Sequence, residues 1–167
     1  MNVRFHKAMP GNIPLIQTLA KDIWNEHYPG IISKEQIDYM LNVMYATKRI
    51  EEEMKLGVVY MLIKVNNAPA GYLSYFHEKA DNRVKVDKIY LKKEFHGRGI
   101  GQQMLDHVYK KCVQMNIPSL YLNVNKKNEK AIRAYERFGF VKSGEINKDV
   151  GEGFFMDDFV MTCAVTR

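Results

Sequence analysis

The sequence lacks most of the features that mark specialised protein classes. It has only two cysteines, Cys112 and Cys163, and their spacing matches no metal-binding motif and no disulfide framework. No hydrophobic run approaches the roughly 18 residues that a membrane span needs, and residues 1–7 show no signal-peptide pattern. We therefore expect a cytoplasmic protein with two buried thiols, without a metal site and without a membrane partner.

Long blocks of like charge are also missing. The net charge is +6, but Lys and Arg are scattered along the chain. No helix-turn-helix, zinc-finger or aromatic RNA-binding signature is present. An anionic cofactor explains part of the positive charge more simply than a nucleic acid does, so we expect no nucleic-acid partner. The 167 residues contain no repeats or linkers, which predicts a single domain over residues 1–167.

The most informative segment that is present is a glycine-rich loop, Phe-His-Gly-Arg-Gly-Ile-Gly at residues 95–101. Closely spaced glycines let the backbone approach a ligand, and a helix start offers free N–H groups. Together these features bind phosphate. A P-loop needs Lys and Ser or Thr after its glycines, where this chain has Gln102 and Gln103, and a dinucleotide loop needs a third glycine where Gln102 or Met104 stands. A plain connecting turn is the remaining alternative.

Hydrophobic periodicity predicts the element order β-α-α-β-β-β-α-β-α-β-β, with one further short helix at residues 47–56. The predicted strands are 3–7, 58–65, 70–76, 84–91, 120–124, 140–145 and 154–165, and the other predicted helices are 12–27, 33–44, 99–115 and 128–138. A turn is predicted at residues 66–69. This order favours an α/β fold with a mixed sheet, in which a right-handed crossover contains the glycine loop.

Two segments carry a resemblance to a known family. The first runs from Lys88 through the glycine loop to Leu105, and the second, from Asn128 to Phe140, has the pattern N-x-x-A-x-x-x-Y-x-x-x-G-F. With both segments at this spacing, the chain resembles the GNAT superfamily of acyl-CoA-dependent N-acetyltransferases. The resemblance implies the GNAT fold, a central mixed, mostly antiparallel sheet flanked by helices. Where the family has Gln or Arg at the start of its loop motif, this chain has His96, whose role is open.

The resemblance implies acetyl-CoA as co-substrate and no metal. In this family the loop amides hold the pyrophosphate, and the strand before the loop diverges from its neighbour so that its backbone pairs with the pantetheine. A backbone N–H near Leu91 would stabilise the oxyanion of the attacked thioester. The positions that match cofactor-binding residues are Ile89, Tyr90, Leu91, His96, Gly97, Arg98, Gly99, Ile100, Gly101, Gln102, Asn125, Asn128 and Tyr135. Arg98 is alternatively a solvated side chain, and Asn128 alternatively a helix cap.

Two residues are candidates for proton transfer. Tyr135 matches the family's tyrosine that protonates the leaving thiolate, and its alternative role is that of a core aromatic. The attacking amine must lose a proton, and family members often use a residue at the positions of Lys85 or Asp87. Lysine is a poor base, whereas Asp87 shares a strand face with Leu91. Asp87 is therefore the candidate base, directly or through a water, with a surface salt bridge as the alternative.

The acceptor site is the least clearly encoded part. The substrate-binding candidates are Asp87 and two aromatic residues, Trp24 and Tyr28, which suit an amine through cation–π contact or else belong to the core. Asp157 and Asp158 would attract a cationic acceptor or mark an exposed strand edge. We expect direct transfer of acetyl to a primary amine of a small molecule. A protein or peptide acceptor, and an acyl-CoA-binding module without catalysis, are the alternatives. The resemblance also allows a homodimer.

Overall fold

A computed structural model describes residues 1–166. Within these residues the chain forms seven strands and five α-helices. In chain order they are β1 (Val3–Lys7), α1 (Ile13–His27), α2 (Lys34–Met44), α3 (Thr47–Lys55), β2 (Val59–Val65), β3 (Ala68–Glu78), β4 (Arg83–Leu91), α4 (Ile100–Met115), β5 (Ser119–Asn125), α5 (Glu129–Phe138), β6 (Val141–Gly151) and β7 (Phe154–Ala164). The predicted order of elements is confirmed.

The strands form one sheet in the order β1-β2-β3-β4-β5-β7-β6. The pairs β1–β2, β2–β3, β5–β7 and β6–β7 are antiparallel. β4 and β5 are parallel, with Val84 opposite Leu120 and Lys85 opposite Tyr121. Because parallel strands need a crossover, helix α4 connects them, and the glycine loop precedes that helix. The predicted mixed, mostly antiparallel sheet flanked by helices is confirmed.

Contacts divide the described chain into two compact units. Unit 1 comprises Met1–Phe76 and Lys88–Gly101, and unit 2 comprises His77–Asp87 and the chain from Gln102 onward. Strands β3 and β4 each contribute residues to both units. The single domain over residues 1–167 stays a prediction, and residue 167 lies outside the described residues.

Unit 1 is built on the apolar face of α1. That helix buries Ile13, Ile16, Leu19, Ala20, Ile23 and Trp24, which recur at the spacing of one helical face. Helix α2 begins where the sequence indicates, because the Ser33 side chain accepts a hydrogen bond from the Gln36 N–H at 3.1 Å. This cap satisfies one of the unpaired donors of the first turn.

The turn between β2 and β3 is shorter than predicted. Asn66 and Asn67 both have positive φ, +50° and +70°, and two such residues close a hairpin by themselves. Ala68 and Pro69 therefore already belong to β3. Pro69 lies opposite Lys64 beside a register shift, where the missing N–H of a proline is tolerated.

Unit 2 contains both cysteines. Each is buried, and neither forms a disulfide. Burial raises the pKa of the Cys112 thiol to about 11, with a smaller contribution from Cys163. Burial also raises the pKa of the Cys163 thiol. Both thiols therefore remain protonated near neutral pH and are not activated as nucleophiles.

Strand β6 is much longer than predicted, extending to Gly151 instead of residue 145. Its residues are mostly exposed, so the apolar alternation that marks a half-buried strand is missing. The strand forms because it pairs with β7 over most of its length, with two register shifts. Tertiary pairing therefore determines this element, and local propensity does not.

Candidate active site

The glycine loop has the geometry of an open backbone cradle. Gly97 and Gly99 have φ values of +75° and +77°, a region that residues with a Cβ rarely adopt. A Cβ added at Gly97, Gly99 or Gly101 would meet no atom within 4 Å. The space over the loop is therefore open, and α4, with 16 residues, begins at Ile100. Free N–H groups at a helix start beside an open glycine backbone fit a pyrophosphate.

His96 connects this loop to the end of β4. Its Nε2 lies 2.8 Å from the carbonyl oxygen of Leu91, and since a carbonyl only accepts, the imidazole nitrogen must carry the hydrogen. The His96 backbone N–H also donates to the Lys93 carbonyl at 3.0 Å. The residue that departs from the family motif therefore has an internal role, which sequence reasoning had left open.

Gly71 fixes the direction of the last peptide groups of β4. A Cβ at this position would lie 2.2 Å from the Tyr90 carbonyl oxygen and 3.1 Å from the Leu91 Cα. No side chain fits there, because the first of these contacts is with backbone. In a trans peptide the N–H points opposite to the C=O. Since the Tyr90 carbonyl faces β3, the Leu91 N–H points away from β3.

Five aromatic side chains form a cluster in unit 1, which we call the aromatic cluster. Its members are Trp24, Tyr28, Tyr45, Tyr72 and Tyr90. The Tyr45 and Tyr72 hydroxyls are 2.7 Å apart, Trp24 Nε1 donates to the Tyr72 hydroxyl at 3.2 Å, and the Tyr28 and Tyr90 hydroxyls are 3.0 Å apart. Burial is the main cause that raises the pKa of Tyr45 and of Tyr72 far above the ordinary value. Both are therefore neutral phenols.

The cluster contains both aromatic residues predicted to bind the acceptor. Trp24 is only 1% exposed, which places its ring in the core of unit 1. Tyr28 is 5% exposed, and its hydrogen bond with Tyr90 is partly buried. Both rings are therefore buried, and the substrate-binding role of both stays a prediction.

A buried lysine beside the cluster was missed by sequence reasoning. Lys88 is 1% exposed, and its Nζ lies 3.9 Å from the Glu53 carboxylate and 5.5 Å from the centre of the Tyr60 ring. The Tyr60 hydroxyl donates to the same carboxylate. The alternation of Val84, Val86 and Lys88 along β4 is a signal that could have placed Lys88 on the buried face.

In unit 2, Asn125 and Asn128 shape the connection from β5 to α5. The Asn125 side-chain oxygen accepts the Lys127 N–H at 2.9 Å, and its backbone oxygen accepts the Asn128 N–H at 2.9 Å. Asn128 is at the N-cap position, but its side chain makes no capping hydrogen bond with α5. The alternative of simple helix capping is therefore wrong for the Asn128 side chain. Contact of either residue with the cofactor stays a prediction.

Tyr135 lies on α5 and is half-buried, with its ring 5.9 Å from that of Phe140. Helix α5 is joined to the first turn of α4 by Gln102, whose Nε2 donates to the Ala134 carbonyl at 3.1 Å. Gln102 therefore has a side-chain role inside unit 2, besides the backbone role predicted for it. This bond fixes the residue next to Tyr135 relative to the start of α4.

Asp87 forms an ion pair with Lys85, with 3.4 Å between Nζ and Oδ1. Both side chains are partly exposed, at 31% and 22%. The alternative of a surface salt bridge is therefore present in the structure, and a role of Asp87 as base stays a prediction. Arg98, in unit 1, is exposed and lies 5.9 Å from the centre of the Phe95 ring.

Residues 1–166 lack both a membrane-spanning helix and a cluster of metal-ligating side chains. No helix there is both long and apolar enough to cross a bilayer. No group of three or more His, Cys, Asp or Glu side chains in this part of the chain is arranged to hold a metal ion.

The chain is similar to known acetyltransferases in sequence and in fold. The family described as acetyltransferase (GNAT) matches residues 17–140. A probable spermine N(1)-acetyltransferase and a spermine/spermidine N(1)-acetyltransferase, both from Bacillus subtilis, are each 26% identical over 136 residues, which cover 76% of this chain and 90% of the relative. The crystal structure of the PaiA N-acetyltransferase from Thermoplasma acidophilum in complex with coenzyme A has a TM-score of 0.84 at 20% identity, covering 98% of this chain and 99% of that one.

Proposed function

Because this chain belongs to the GNAT acetyltransferase family, and is therefore an acetyl-CoA-dependent acyltransferase, we propose that it acetylates a primary amine of a small polyamine. The observation that carries the acceptor class is the similarity to the two Bacillus subtilis relatives, whose names specify spermine and spermidine. The match covers 90% of each relative's length.

The glycine loop is proposed to hold the pyrophosphate of coenzyme A. Support comes from the positive φ of Gly97 and Gly99, from the open space above them and from the helix that starts at Ile100. The Arg98 side chain adds a positive charge beside the loop. The Ile89 and Leu91 backbone is assigned to the pantetheine, and Asn125 and Asn128 are assigned further cofactor contacts.

Coenzyme A presents the acetyl group as a thioester, whose carbonyl carbon the amine attacks. The Leu91 N–H donates to the carbonyl oxygen as negative charge develops there, and such a donor contributes roughly 10²–10³-fold in rate. Support for this role comes from Gly71, which directs the Tyr90 carbonyl toward β3 and the Leu91 N–H away from it.

Proton transfer is assigned to two side chains. The Tyr135 phenol protonates the departing thiolate, as a general acid of suitable reach can. Asp87, directly or through a water, takes the proton from the amine, which cannot attack while protonated. Attack is direct and no acyl-enzyme forms, which agrees with the burial of both cysteines.

The acceptor class is tested by thiol release from acetyl-CoA with spermidine, spermine, an amino-acid amide and a peptide with a free N-terminus, with products identified by mass. We expect kcat/KM for the polyamines to exceed that for the peptide at least about tenfold. Preference for the peptide would assign a protein acceptor, and tight coenzyme A binding without any turnover would assign a binding module.

The catalytic assignment is tested by Tyr135→Phe, which should lower kcat by about 10²-fold or more while the Kd of coenzyme A stays within about twofold. Tyr109→Phe is the matched control, because the Tyr109 hydroxyl lies 3.3 Å from Thr166 Oγ1 and accepts the Thr166 N–H at 3.1 Å, both at an exposed position. Equal losses in both variants would contradict a catalytic role.

The cofactor assignment is tested by Gly101→Val. Because Gly101 has ordinary φ and open space around its Cβ position, the substitution should leave the fold intact. It should raise the Kd of coenzyme A by about tenfold or more, since the added side chain blocks close approach of phosphate. Gly11→Val is the control, since Gly11 also has open space and no positive φ. Unchanged affinity in a folded Gly101→Val variant would contradict the assignment.

A further inference from the structure

Two buried side-chain oxygens in unit 2 have no hydrogen-bond partner within residues 1–166. They are Oδ1 of Asp158 and Oδ1 of Asn123. Asp158 as a whole is only 6% exposed. A buried polar atom without a partner is costly, by about 1–3 kcal/mol, and calls for an explanation.

Strand register places both oxygens on one face of the sheet. On neighbouring strands Asn125 lies opposite Asp158, and Asn123 lies opposite Val160. Residues that are directly opposite share a face, as do residues two apart on one strand. Asn123 and Asp158 are therefore diagonal neighbours, with Cβ atoms somewhat less than about 7–8 Å apart, within reach of one small group that contacts both.

Other polar groups of unit 2 on this face are paired. The Tyr121 hydroxyl and Arg83 Nε donate to the two Glu78 oxygens at 2.6 and 2.8 Å, and Lys85 is ion-paired with Asp87. Among residues 1–166, a missing partner is therefore found for Asp158 and Asn123 and is not a general property of this face.

The chemistry of the two atoms limits what complements them. An amide oxygen and an ionised carboxylate are both acceptors, so the partner must donate hydrogen bonds, and the carboxylate favours a cation. A primary ammonium has three N–H donors and one positive charge. Ile146, which lies opposite Asp158 on β6, is 39% exposed, so the site lies beside a solvent-exposed edge strand.

We propose that Asp158 and Asn123 form a subsite that binds an ammonium group of the acceptor. This inference rests on the proposed function, and it names the groups that let a protein of net charge +6 hold a polycation. Burial raises the pKa of Asp158 to about 6, opposed by Lys148 and Lys85 and assisted by Asp157. The carboxylate is therefore mostly ionised at pH 7.5, as the subsite requires.

The test is binding of spermidine to the full chain saturated with coenzyme A, by calorimetry at pH 7.5. Asp158→Asn keeps the shape and removes the charge, so we expect the spermidine Kd to rise about tenfold or more, the loss expected for one charge-assisted contact. Asp157→Asn is the matched control, since its carboxylate is 62% exposed and paired with Lys126 at 3.0 Å. We expect the Kd of this control to stay within about twofold.

A second measurement needs no variant. Spermidine affinity of the wild-type chain should fall as the pH is lowered from 7.5 to 5, because Asp158 becomes protonated while the polyamine keeps its charge. The charged groups near Asp158 are Lys148, Lys85 and Asp157. The Asp157→Asn variant removes the other carboxylate, so a pH dependence that this variant retains belongs to Asp158. A flat pH profile, or equal affinity of wild type and Asp158→Asn, would overturn the subsite.

Failure of the subsite and failure of the proposed function are distinguishable. If spermidine is acetylated but its KM is the same in wild type and Asp158→Asn, the subsite is wrong and the proposed function stands. If spermidine is not acetylated but binds, and Asp158→Asn weakens that binding, the subsite stands and the proposed acceptor is wrong. If wild type does not bind spermidine, the subsite is wrong. Where both hold, KM should rise about tenfold with kcat within about threefold.

Discussion

Buried polar atoms are hydrogen-bonded in the aromatic cluster of unit 1 but partly unpaired on the sheet face of unit 2 that carries Asn123 and Asp158, which we call the polar face. In the cluster, Tyr72 accepts from Trp24 and is bonded to Tyr45, so deeply buried groups satisfy one another. On the polar face, Asp158 and Asn123 each have an oxygen without a partner among the described residues. A satisfied network stabilises and rigidifies, whereas an unsatisfied acceptor lowers stability and is ready for a ligand. The difference separates a network of mutually satisfied groups from a pair of acceptors that are open to a ligand.

The largest effect is expected from Gly71→Ala, at the point where β3 contacts the backbone of Tyr90 and Leu91 in β4. Its Cβ would lie 2.2 Å from the Tyr90 carbonyl oxygen, so the peptide that contains the Leu91 N–H must rotate or shift. We expect kcat to fall about 10²–10³-fold, the effect of losing one oxyanion donor. Gly11→Ala, in open space, is the control. A folded Gly71→Ala enzyme with normal kcat would refute this positioning role.

Tyr72→Phe should cause the next largest effect, on stability. Removing this hydroxyl leaves the buried Tyr45 hydroxyl and Trp24 Nε1 without their shared partner, and each such group costs about 1–3 kcal/mol. We expect the free energy of unfolding, measured in urea, to fall by about 2–6 kcal/mol. Tyr109→Phe, at an exposed hydroxyl, should change it by less than about 1 kcal/mol. A similar loss of unfolding free energy in the two variants would show that the hydrogen bonds of the aromatic cluster contribute no more to stability than an exposed one.

Asp158→Asn should shift stability in the opposite direction. The folded state raises the Asp158 pKa from the ordinary 3.8 to about 6, so it favours the protonated acid and loses stability as the pH rises from 3.8 through 6. Asparagine does not ionise. The variant should therefore be more stable than wild type above pH 6, by up to about 3 kcal/mol, and the difference should disappear below pH 4.

Chemical unfolding of both proteins at pH 8 and pH 4 measures this difference, with Asp157→Asn as control. A variant that is more stable and binds spermidine less well would identify Asp158 as a binding residue that lowers stability. Destabilisation at pH 8 would instead show that the carboxylate has a satisfied structural role.

The smallest effect is expected at His96, where one hydrogen bond joins the glycine loop to Leu91. His96→Ala removes a bond worth about 1 kcal/mol, so the Kd of coenzyme A should rise by about fivefold. His96→Gln restores a side-chain N–H donor and should recover most of that loss. If Gln and Ala behave alike, the contact with Leu91 does not position the loop.

The sequence predicted the parts that depend on short-range pattern. The strand at Val3–Lys7, the helix carrying Ile16 and Trp24, and the strand leading into the glycine loop all appear as expected. The predicted end of β6 was wrong, because that strand is exposed and forms by pairing with β7. The aromatic residues at 24 and 28 were assigned to a substrate pocket or to the core, and burial places Trp24 in the core.

The features that mattered most for chemistry were decided by tertiary structure. The glycine-rich loop, the family resemblance and the acetyl-CoA chemistry can be read from the sequence, because they depend on residues adjacent in the chain. The role of Gly71 depends on Tyr90, 19 positions away, and the hydroxyl pair of Tyr28 and Tyr90 joins residues 62 apart. Asp157 and Asp158 are adjacent residues of the same type, so the sequence alone does not show which of them is buried. Because adjacent residues of a strand face opposite sides, the Asp157 side chain is exposed to solvent and the Asp158 side chain is buried. Oδ1 of Asp158 has no hydrogen-bond partner within residues 1–166.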